Sequence, residues 1–450
     1  MKLTDISVVF DRLFPICRSI TGPGLRESLD ILAEYIPLTI HGVASGTKVL
    51  DWKVPQEWAV DEARLIGPDG QVVCDFTDHN LHLVNYSIPF TGRMTLDELQ
   101  PHLYSLPHLP DLIPYVTSYY SPRWGFCLPH RQRKALPEGE YQVDIRTRHY
   151  DGEVNFATAT LPGESDEVVL ISSYLCHPSM ANNELSGPLG LLRLYELLAA
   201  RPNRRFTYMF LLCPETLGSI TFLSRFAADL KPKLHAGLVM TCLGGPESKL
   251  SMKLSRRDWL NRPGPFDCLA RHLAEMAPDR YELRTFTPTS GSDERQFCSP
   301  GFDWPVIQAS RTVYGNYAEY HTSGDDRQFM RIEQVEAAAH QLSSFLETAE
   351  MQGHALINYH PFGEPQLGRR DLYPSVNSPM NRDQSNDNSV DQRETLNRLL
   401  MLLSLADGTR DLIACAQKIG CASDELLPIL RELFTKDMLV TRAFQEKEAV

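Results

Sequence analysis

The fold is decided by one stretch, Cys176-His177-Pro178-Ser179-Met180-Ala181-Asn182-Asn183-Glu184-Leu185-Ser186-Gly187-Pro188. It follows an apolar run at residues 168–175 that is typical of a buried parallel strand, and it precedes an amphipathic helical pattern at 189–198. In open α/β sheets, the loops that follow the strands are where sites are built. This loop supplies the imidazole of His177 and the carboxylate of Glu184, which are metal-binding groups. The stretch therefore indicates a metal-dependent hydrolase.

The bulk composition is that of an ordinary globular protein, with 450 residues, 42% hydrophobic and 22% charged. A net charge of −13 argues against nucleic acid as a partner, because phosphate neutralisation needs clustered Lys and Arg. No apolar run is long enough to span a bilayer, and no apolar h-region follows Met1, so we expect no cleaved secretory signal. Ten cysteines without a CxxC pair are typical of reduced thiols. We expect a cytoplasmic protein without a membrane partner.

Alternating strand and helix patterns predict an α/β domain with a doubly wound, mostly parallel sheet. Its predicted extent is residues 1–42 and 129–373. The predicted strands of this sheet are residues 141–147, 168–175, 207–213, 236–242 and 306–308. Residues 43–128 are instead short segments broken by turn signals such as Gly67-Pro68-Asp69-Gly70. They predict a β-rich domain inserted into the α/β domain.

The C-terminal part predicts a separate helical domain. Residues 374–390 are polar and rich in Asn and Ser, which is typical of a linker. Residues 391–450 predict three helices and a strand in the order of a winged helix-turn-helix. The predicted third helix, at 423–433, has three acids and one Arg, whereas a helix in a DNA groove needs the opposite balance. We expect this domain to serve packing or self-association, including a homo-oligomer, more than DNA binding.

Four further segments carry side chains that suit a metal site, at residues 213–219, 241–246, 290–297 and 319–326. They supply Glu215, Asp293 and His321, in addition to several small residues that let a substrate approach the backbone. Catalytic zinc sites use three protein ligands and keep a position open for water. With His177, these segments offer enough ligands for such a site.

The order of these motifs resembles that of the co-catalytic zinc aminopeptidases, which include bacterial leucyl aminopeptidases and glutamate carboxypeptidases. The motifs are Asn183-Glu184-Leu185-Ser186-Gly187 after the His177 loop, Glu215-Thr216-Leu217-Gly218-Ser219, Ser292-Asp293-Glu294-Arg295-Gln296-Phe297 and Tyr320-His321-Thr322. More closely, the whole chain is similar to an uncharacterised aminopeptidase-like family with an inserted β domain and a C-terminal winged helix. Residues 13–22, 51–58 and 113–120 carry that closer similarity.

The resemblance implies roles for three residues. His177 matches the first metal-binding His of the zinc aminopeptidases, and His321 matches the last. Glu215 lies where that family has a Glu-Glu pair, of which one is the general base and the other a ligand. Pro214 replaces one member of the pair, so Glu215 is either the base or a ligand.

Three positions depart from the family pattern. Asn183 stands in place of the bridging Asp, Ser179 in place of the Asp of His-x-Asp, and Thr241 in place of another carboxylate. Glu184 is the candidate substitute, as ligand or base, and Asp293 is a candidate to restore one ligand. A pair of zinc ions needs a bridging ligand and several carboxylates. We therefore expect one zinc ion, and a second is doubtful.

The predicted reaction is attack of metal-activated water on the amide carbonyl of a peptide or a small N-acyl compound, with a Glu taking the proton. Arg311 and Tyr320 are the candidates for substrate binding. Ordinary structural roles compete with these assignments, since Glu215 suits a helix N-terminus and Asp293 suits a helix cap. The alternative to a hydrolase is a catalytically degenerate binding or assembly protein of the same fold. A regulator that senses a metabolite and binds DNA is a third hypothesis.

Overall fold

The structure, a computed structural model, describes residues 3–373 and 388–444. The strands within these residues are β1 (Thr39–Ala44), β2 (Lys48–Val49), β3 (Trp52–Lys53), β4 (Glu57–Ile66), β5 (Val72–Asp75), β6 (Phe90–Thr95), β7 (Leu103–Tyr104), β8 (Phe126–Cys127), β9 (Glu140–Tyr150), β10 (Glu153–Leu161), β11 (Val168–Tyr174), β12 (Thr207–Cys213), β13 (Leu234–Met240), β14 (Leu250–Lys253), β15 (Tyr281–Arg284), β16 (Val306–Ser310), β17 (His354–Asn358) and β18 (Leu439–Ala443).

The helices within the same residues are α1 (Ile6–Leu13), α2 (Pro23–Ala33), α3 (Leu96–Leu99), α4 (His130–Lys134), α5 (Ser186–Ala199), α6 (Leu217–Leu230), α7 (Arg256–Trp259), α8 (Pro265–Met276), α9 (Glu294–Phe297), α10 (Ile332–Glu350), α11 (Asn388–Leu405), α12 (Leu412–Ile419) and α13 (Leu427–Thr435). A π-helical turn, Ala181–Leu185, leads directly into α5. None of these helices combines the length and apolarity needed to cross a membrane. The chain divides into two units, one formed by residues up to Gly264 with Arg284–His340, the other by Pro265–Leu283 with residues from Gln341 onward.

The first unit contains seven strands of the main sheet, in the order β1-β10-β12-β11-β13-β16-β14. Its centre is parallel, since β11 pairs with β12 and β13, and β13 pairs with β16. The flanking strands β1, β10 and β14 pair antiparallel with their neighbours. All seven residues of β11 are buried, as expected for a parallel strand that is covered on both faces. The predicted mixed α/β class with a mostly parallel sheet is confirmed.

The start of α5 fits closely against the sheet because residue 187 is a glycine. A Cβ atom on Gly187 would collide with Ser173 Oγ and lie 2.6 Å from the carbonyl oxygen of Met240. Pro188 occupies the first turn of α5, where its missing N–H costs nothing. The Ser-Gly-Pro sequence therefore seats the helix on β11 and β13, and it fixes the loop between β11 and α5.

A second, four-stranded antiparallel sheet has the order β5-β4-β9-β6. Residues 141–147, which the sequence predicts to be a strand of the main sheet, instead belong to β9, which pairs with β4 from Glu57 to Ile66. Buried Tyr141, Val143, Ile145 and Thr147 alternate with more exposed neighbours along most of β9, the pattern of an antiparallel strand with one solvated face. The β-rich sheet therefore reaches Tyr150 and passes the predicted limit at residue 128.

The second unit contains the C-terminal helices and a two-stranded sheet in which β17 pairs antiparallel with β18. The Asp411 side chain caps α12 by accepting a hydrogen bond from Ala414 N, and Gly420 ends that helix at a φ of 86°. Strand β17 precedes the predicted linker, so this unit begins before the predicted boundary at residue 391. Of the predicted linker, residues 374–387 lie outside the described residues, and 388–390 open α11.

Candidate metal centre

The side chains of interest follow the carboxyl ends of parallel strands. His177 and Glu184 lie between β11 and α5, Glu215 lies between β12 and α6, and His321 precedes α10. Because the carboxyl ends of parallel strands meet at one edge of a sheet, loops that are distant in sequence come together there. The ring centroids of His177 and His321 are 5.4 Å apart. The structure thus brings together the two histidines that the sequence singled out.

Glu184 holds the imidazole of His177 through a hydrogen bond at Nδ1. His177 Nδ1 donates a hydrogen bond to Glu184 Oε2 at 2.7 Å, and the two residues are only 6% and 1% exposed. Burial opposes a charged ring, but Glu184 and then Glu215 outweigh it and raise the pKa of His177 above its ordinary value. A metal ion at Nε2 would displace the ring's second proton. Glu184, predicted to be a ligand or base, therefore lies where it orients the imidazole.

Arg18 supports this pair from the N-terminal segment. Its guanidinium is fully buried, and Nε donates to the carbonyl oxygen of His177 at 3.0 Å and lies 3.4 Å from Glu184 Oε1. Nη1 donates to the carbonyl oxygen of Leu13 at 2.6 Å. A buried carboxylate is costly without an opposite charge, and Arg18 supplies one. Sequence reasoning missed this residue, although it lies in the segment 13–22 that carries the family similarity.

The other ring nitrogen of His177 faces Glu215. Glu215 Oε2 lies 3.9 Å from His177 Nε2, and Ser292 Oγ donates to Glu215 Oε1 at 2.7 Å. The Glu215 side chain is 28% exposed, against 8% for His177, so this face is open to solvent. Burial, partly offset by His177 and Ser292, raises the pKa of Glu215. Burial and the nearby His177 lower the pKa of His321 to about 3, so that ring is a neutral imidazole, the form that binds metals.

Ser292 is itself held by a buried ion pair. Lys253 Nζ lies 2.8 Å from Glu294 Oε1, and both side chains are at most 2% exposed. Glu294 Oε2 accepts hydrogen bonds from Ser292 N at 2.9 Å and from Gln308 Nε2 at 3.2 Å. This pair fixes the loop before α9 and, through Ser292, the carboxylate of Glu215.

Two faces of His177 carry possible metal ligands, and they differ in access. Cys176 Sγ, Glu184 and Nδ1 form a compact cluster on one side, but its side chains are sealed from solvent. On the Nε2 side lies Glu215, and the His321 ring packs beside the His177 ring. Two imidazoles that share one tetrahedral zinc ion, with Zn–N of about 2.0–2.1 Å, have ring centroids roughly 5 Å apart, close to the observed 5.4 Å. The ligand atoms of Cys176, His177 and Glu184 lie within 4.8 Å of one another, whereas His177, His321 and Glu215 offer the ligand types and the solvent access of a catalytic zinc site.

Asp293, predicted to be a metal ligand, precedes α9 in the chain. Its carboxylate contacts the start of α6. Asp293 Oδ1 accepts hydrogen bonds from Thr216 N and Ser219 Oγ, each at 2.7 Å. Thr216, which precedes α6, has a φ of 64°, a conformation that needs such support. Burial, followed by repulsion from Glu215, raises the pKa of Asp293 to about 7. These contacts anchor α6, whereas the structural role that the sequence offered was a cap of the helix that begins at Glu294, and Asp293 makes no side-chain capping hydrogen bond to α9.

Asp325 anchors the π-helical turn that presents Glu184. Its two carboxylate oxygens accept from Asn182 N at 2.6 Å and Asn183 N at 2.8 Å. Burial outweighs these hydrogen bonds and raises the pKa of Asp325 to about 7. The motif that contains His321 thus also fixes the loop that contains His177.

The positions that lack the expected carboxylates are occupied by hydrogen-bonded polar groups. Thr241 Oγ1 donates to the carbonyl oxygen of Asn183 at 3.0 Å. Ser179, with a φ of 48°, accepts from Asn80 Nδ2 at 2.8 Å. Among the described residues, Asn183 Oδ1 is a buried oxygen without a hydrogen-bond partner. Neutral groups therefore line the side of the site where a second zinc ion would need carboxylates.

A cavity of about 420 Å³ adjoins His321. It is lined by Leu106, His108, Leu109, Pro114, Tyr115, Val116, Gly315, Tyr317, Ala318, Tyr320 and His321. Tyr320, predicted to bind substrate, stacks on His321 with a centroid distance of 3.9 Å. Arg311, the other predicted substrate residue, is not among these lining residues. It donates instead to the carbonyl oxygens of Glu247 and Ser248, at 3.2 and 2.6 Å.

Comparison with known proteins identifies two matching family models. One is described as a domain of unknown function, DUF4910, and matches residues 8–352. The other is described as a winged helix-turn-helix and matches residues 354–441. A Clostridium acetobutylicum protein, named for polysaccharide biosynthesis and an aminopeptidase-like domain, is 37% identical over 416 residues, covering 92% of this chain and 91% of that protein.

Solved structures of a peptidase and of an aminopeptidase are also similar to this chain. A Clostridium acetobutylicum crystal structure described as a peptidase has a TM-score of 0.82 at 34% identity and covers 97% of this chain and 96% of its own. A zinc aminopeptidase from Bacillus subtilis has a TM-score of 0.53 at 12% identity, covering 78% of this chain and 96% of its own. At that identity the likeness concerns the fold. These findings confirm the resemblance to aminopeptidase-like proteins and the C-terminal winged helix.

Proposed function

The chain belongs to the DUF4910 family, and we propose that it is a metal-dependent hydrolase of amide bonds in peptides or small N-acyl compounds. The observation that carries the proposal is the arrangement of His177, His321 and Glu215 at the carboxyl edge of the sheet. Glu215 Oε2 lies 3.9 Å from His177 Nε2, and the rings of His177 and His321 are 5.4 Å apart between centroids. The aminopeptidase-like fold and the adjoining cavity support the same class of reaction.

We propose that His177, His321 and Glu215 hold one zinc ion. When bound, the ion would polarise the amide carbonyl and supply an activated water at neutral pH. The chain's own residues prepare this site. Glu184 fixes the tautomer and orientation of His177, and Ser292 leaves one oxygen of Glu215 directed towards His177 Nε2.

Tyr320 is the proposed donor to the substrate carbonyl. Its ring packs on His321, and burial raises the pKa of its hydroxyl, which keeps the proton on the oxygen at neutral pH. A positioned, protonated hydroxyl stabilises negative charge that develops on a carbonyl oxygen. Glu184 is too deeply buried to contact substrate, so its proposed role is to position His177 and not to act as the base.

Metal analysis and amide hydrolysis by the purified full chain test the proposal. We expect about one zinc ion per chain and zinc-dependent hydrolysis of at least one simple amide. His177→Ala abolishes both, whereas His130→Ala, in α4 and hydrogen-bonded to Ser105, leaves both unchanged. Zinc content that is zero in the wild type, or equal in the two variants, sinks the proposal.

The second candidate is a catalytically degenerate binding or assembly protein of the same fold. It is favoured by the neutral groups at Asn183, Ser179 and Thr241, where the resemblance predicted carboxylates. It predicts that the protein binds a ligand in the cavity but hydrolyses no amide even when it is fully loaded with zinc. A panel of peptide and N-acyl substrates, assayed with metal content measured in parallel, separates the two candidates.

We propose that the winged helix serves packing or self-association rather than DNA binding. Three charged residues of the segment 424–431 are engaged within their own unit: Asp424 with Arg280, Glu425 with Arg398, and Arg431 with Glu347. Arg431, the basic residue within α13, is therefore paired with a carboxylate, which competes with a DNA phosphate for it. Salt-dependent binding to duplex DNA would contradict this role, and sedimentation analysis would reveal a homo-oligomer.

A cytoplasmic location is also proposed. The ten cysteines all lie within the described residues, none of them forms a disulfide, and eight of them are buried. Reduced thiols are typical of the cytosol. Fractionation of cells that produce the native protein tests this expectation.

A further inference from the structure

The cavity beside His321 has a rigid wall contributed by two separate parts of the chain. Tyr115 N donates to the carbonyl oxygen of His321 at 2.8 Å, and Ser323 N donates to the carbonyl oxygen of Ile113 at 2.8 Å. Ile113 N in turn donates to Ser323 Oγ at 3.0 Å. These hydrogen bonds therefore join the segment that contains Ile113 and Tyr115 to the loop that contains His321.

Aromatic rings dominate this wall. The Tyr115 ring lies 5.1 Å from His177 and 5.3 Å from His321, measured between centroids. Tyr317 stacks on Phe329 at 4.8 Å and meets Tyr320 edge-on at 5.6 Å. Such packing holds the rings in place, so the cavity is preformed. Tyrosine presents an apolar face with a polar tip, which suits a ligand that is apolar on its faces and polar at its edge.

The lining of the cavity carries no acidic or permanently charged side chain. Among its lining residues, all of which belong to the described part of the chain, none is Asp, Glu, Lys or Arg. A charged ligand group that entered would lose hydration without meeting an opposite charge, which is costly. The free amino group of a peptide, or the amine of an unacylated sugar, therefore meets no carboxylate among the lining residues. A neutral sugar ring that bears hydroxyl groups can pack its faces on the tyrosine rings and direct its hydroxyls towards their polar tips.

We infer that this cavity is the substrate subsite for a neutral N-acyl amino sugar, with the acyl amide directed towards His321 and Glu215. The inference rests on the proposed amide hydrolase function and names its substrate class. Hydrolysis adds water across the amide C–N bond: the hydroxyl joins the acyl carbon to give a carboxylic acid, and the nitrogen leaves with the proton as the amine. The amine product is charged near neutral pH, so a cavity without a carboxylate in its lining would hold it less tightly than the substrate.

Calorimetric titration of the zinc-loaded full chain tests the inference with matched ligands. The probes are N-acetylglucosamine, N-acetylgalactosamine and N-acetylmannosamine, each paired with its free amine at about pH 6. We expect at least one N-acetyl sugar to bind roughly tenfold or more tightly than its amine. Equal or tighter binding of the amines, or no binding by any of the sugars, overturns the inference.

A charge placed in the wall gives a second readout. Ala318 is an exposed lining residue, so Ala318→Glu adds a carboxylate with little risk to folding, and Ala318→Gln is the matched neutral control. We expect Ala318→Glu, but not Ala318→Gln, to shift the preference towards the amine by about tenfold. An identical preference in both variants counts against the inference.

Acetate release, measured in the same samples, distinguishes a failure of the proposed function from a failure of the substrate inference. If an N-acetyl sugar binds with the expected preference and neither it nor any other amide is hydrolysed, the proposed function fails and the binding inference stands. If peptides with a free amino terminus are hydrolysed with a higher kcat/KM than every N-acetyl sugar, the inference fails and the proposed function stands.

Discussion

Glu184 Oε2 accepts a hydrogen bond from His177 Nδ1 at 2.7 Å. That contact turns the opposite nitrogen, Nε2, towards Glu215 and the open side of the site. A carboxylate behind a metal-binding imidazole fixes its tautomer and raises its basicity. The relationship therefore decides which face of His177 is available to a metal ion.

Arg18→Met should strongly destabilise the protein, because it leaves the buried Glu184 carboxylate without its opposite charge. Removing one partner of a buried pair costs about 3–5 kcal/mol. Arg18→Lys keeps the charge but loses the fork that reaches the carbonyl oxygens of both His177 and Leu13, so we expect an intermediate loss. Denaturant unfolding measures both. A loss in Arg18→Met equal to that of an exposed substitution such as Arg93→Met would contradict the assigned role.

Ser292→Ala should make zinc binding more sensitive to acid. The Ser292 hydrogen bond lowers the pKa of Glu215, so its removal raises that pKa, and metal must then compete with a more tightly held proton. We expect the zinc affinity of Ser292→Ala to fall more at about pH 6 than at about pH 8, relative to the wild type. Ser290→Ala is the control in the same loop. A loss that is the same at both pH values would show that Ser292 acts only on folding.

Gly187→Ala should lower the melting temperature, because its Cβ meets Ser173 Oγ and the carbonyl oxygen of Met240. Overpacking of this kind costs about 1–3 kcal/mol. Gly301→Ala is a matched control, since an added Cβ there has no heavy atom within 4 Å. Thermal unfolding of the two variants makes the comparison, and an equal melting temperature would refute the close seating of α5.

Asp325 should make the first unit less stable as pH rises. Its pKa is about 7 in the folded protein, against roughly 3.9 in an unfolded chain. Between these values the folded state binds more protons than the unfolded state, so stability falls with rising pH, by on the order of 1 kcal/mol per pH unit from this residue. Asp325→Asn should flatten that slope, although it also loses an acceptor for Asn182 N or Asn183 N. Denaturation midpoints at about pH 5 and pH 7 measure the slope, and a slope unchanged in the variant would contradict the assignment.

The sequence carried enough signal to predict the main sheet and the meeting of His177 with His321. Continuous apolar runs mark the parallel strands, and the rule that their carboxyl ends share an edge brings the two histidines together. The prediction that residues 141–147 belong to the main sheet was wrong, because it followed from their position along the chain and not from their alternating pattern. That alternation, visible at Tyr141, Val143 and Ile145, was the available signal for an antiparallel sheet.

Side-chain direction at the site could not be predicted in the same way. Glu184 lies in a π-helical turn, whose geometry no simple periodicity encodes, so its contact with Nδ1 depends on Asp325 holding Asn182 and Asn183 from a distant loop. Asp293 offered two roles in sequence, and the position of Thr216 N, set by the end of β12, determined its contacts. Arg18 could not be predicted as a site residue, because the role of a buried arginine depends on the carboxylate that it contacts in the folded chain.

Zinc K-edge X-ray absorption of the zinc-loaded protein tests the central claim most directly, because it counts the ligands of the ion itself. If His177, His321 and Glu215 hold the ion, the spectrum shows two imidazole rings and only nitrogen or oxygen neighbours, and one ring is lost in His321→Gln. If the ion instead binds at the sealed face with Cys176, His177 and Glu184, the spectrum shows a sulfur neighbour at about 2.3 Å and one ring. That second result would contradict the account.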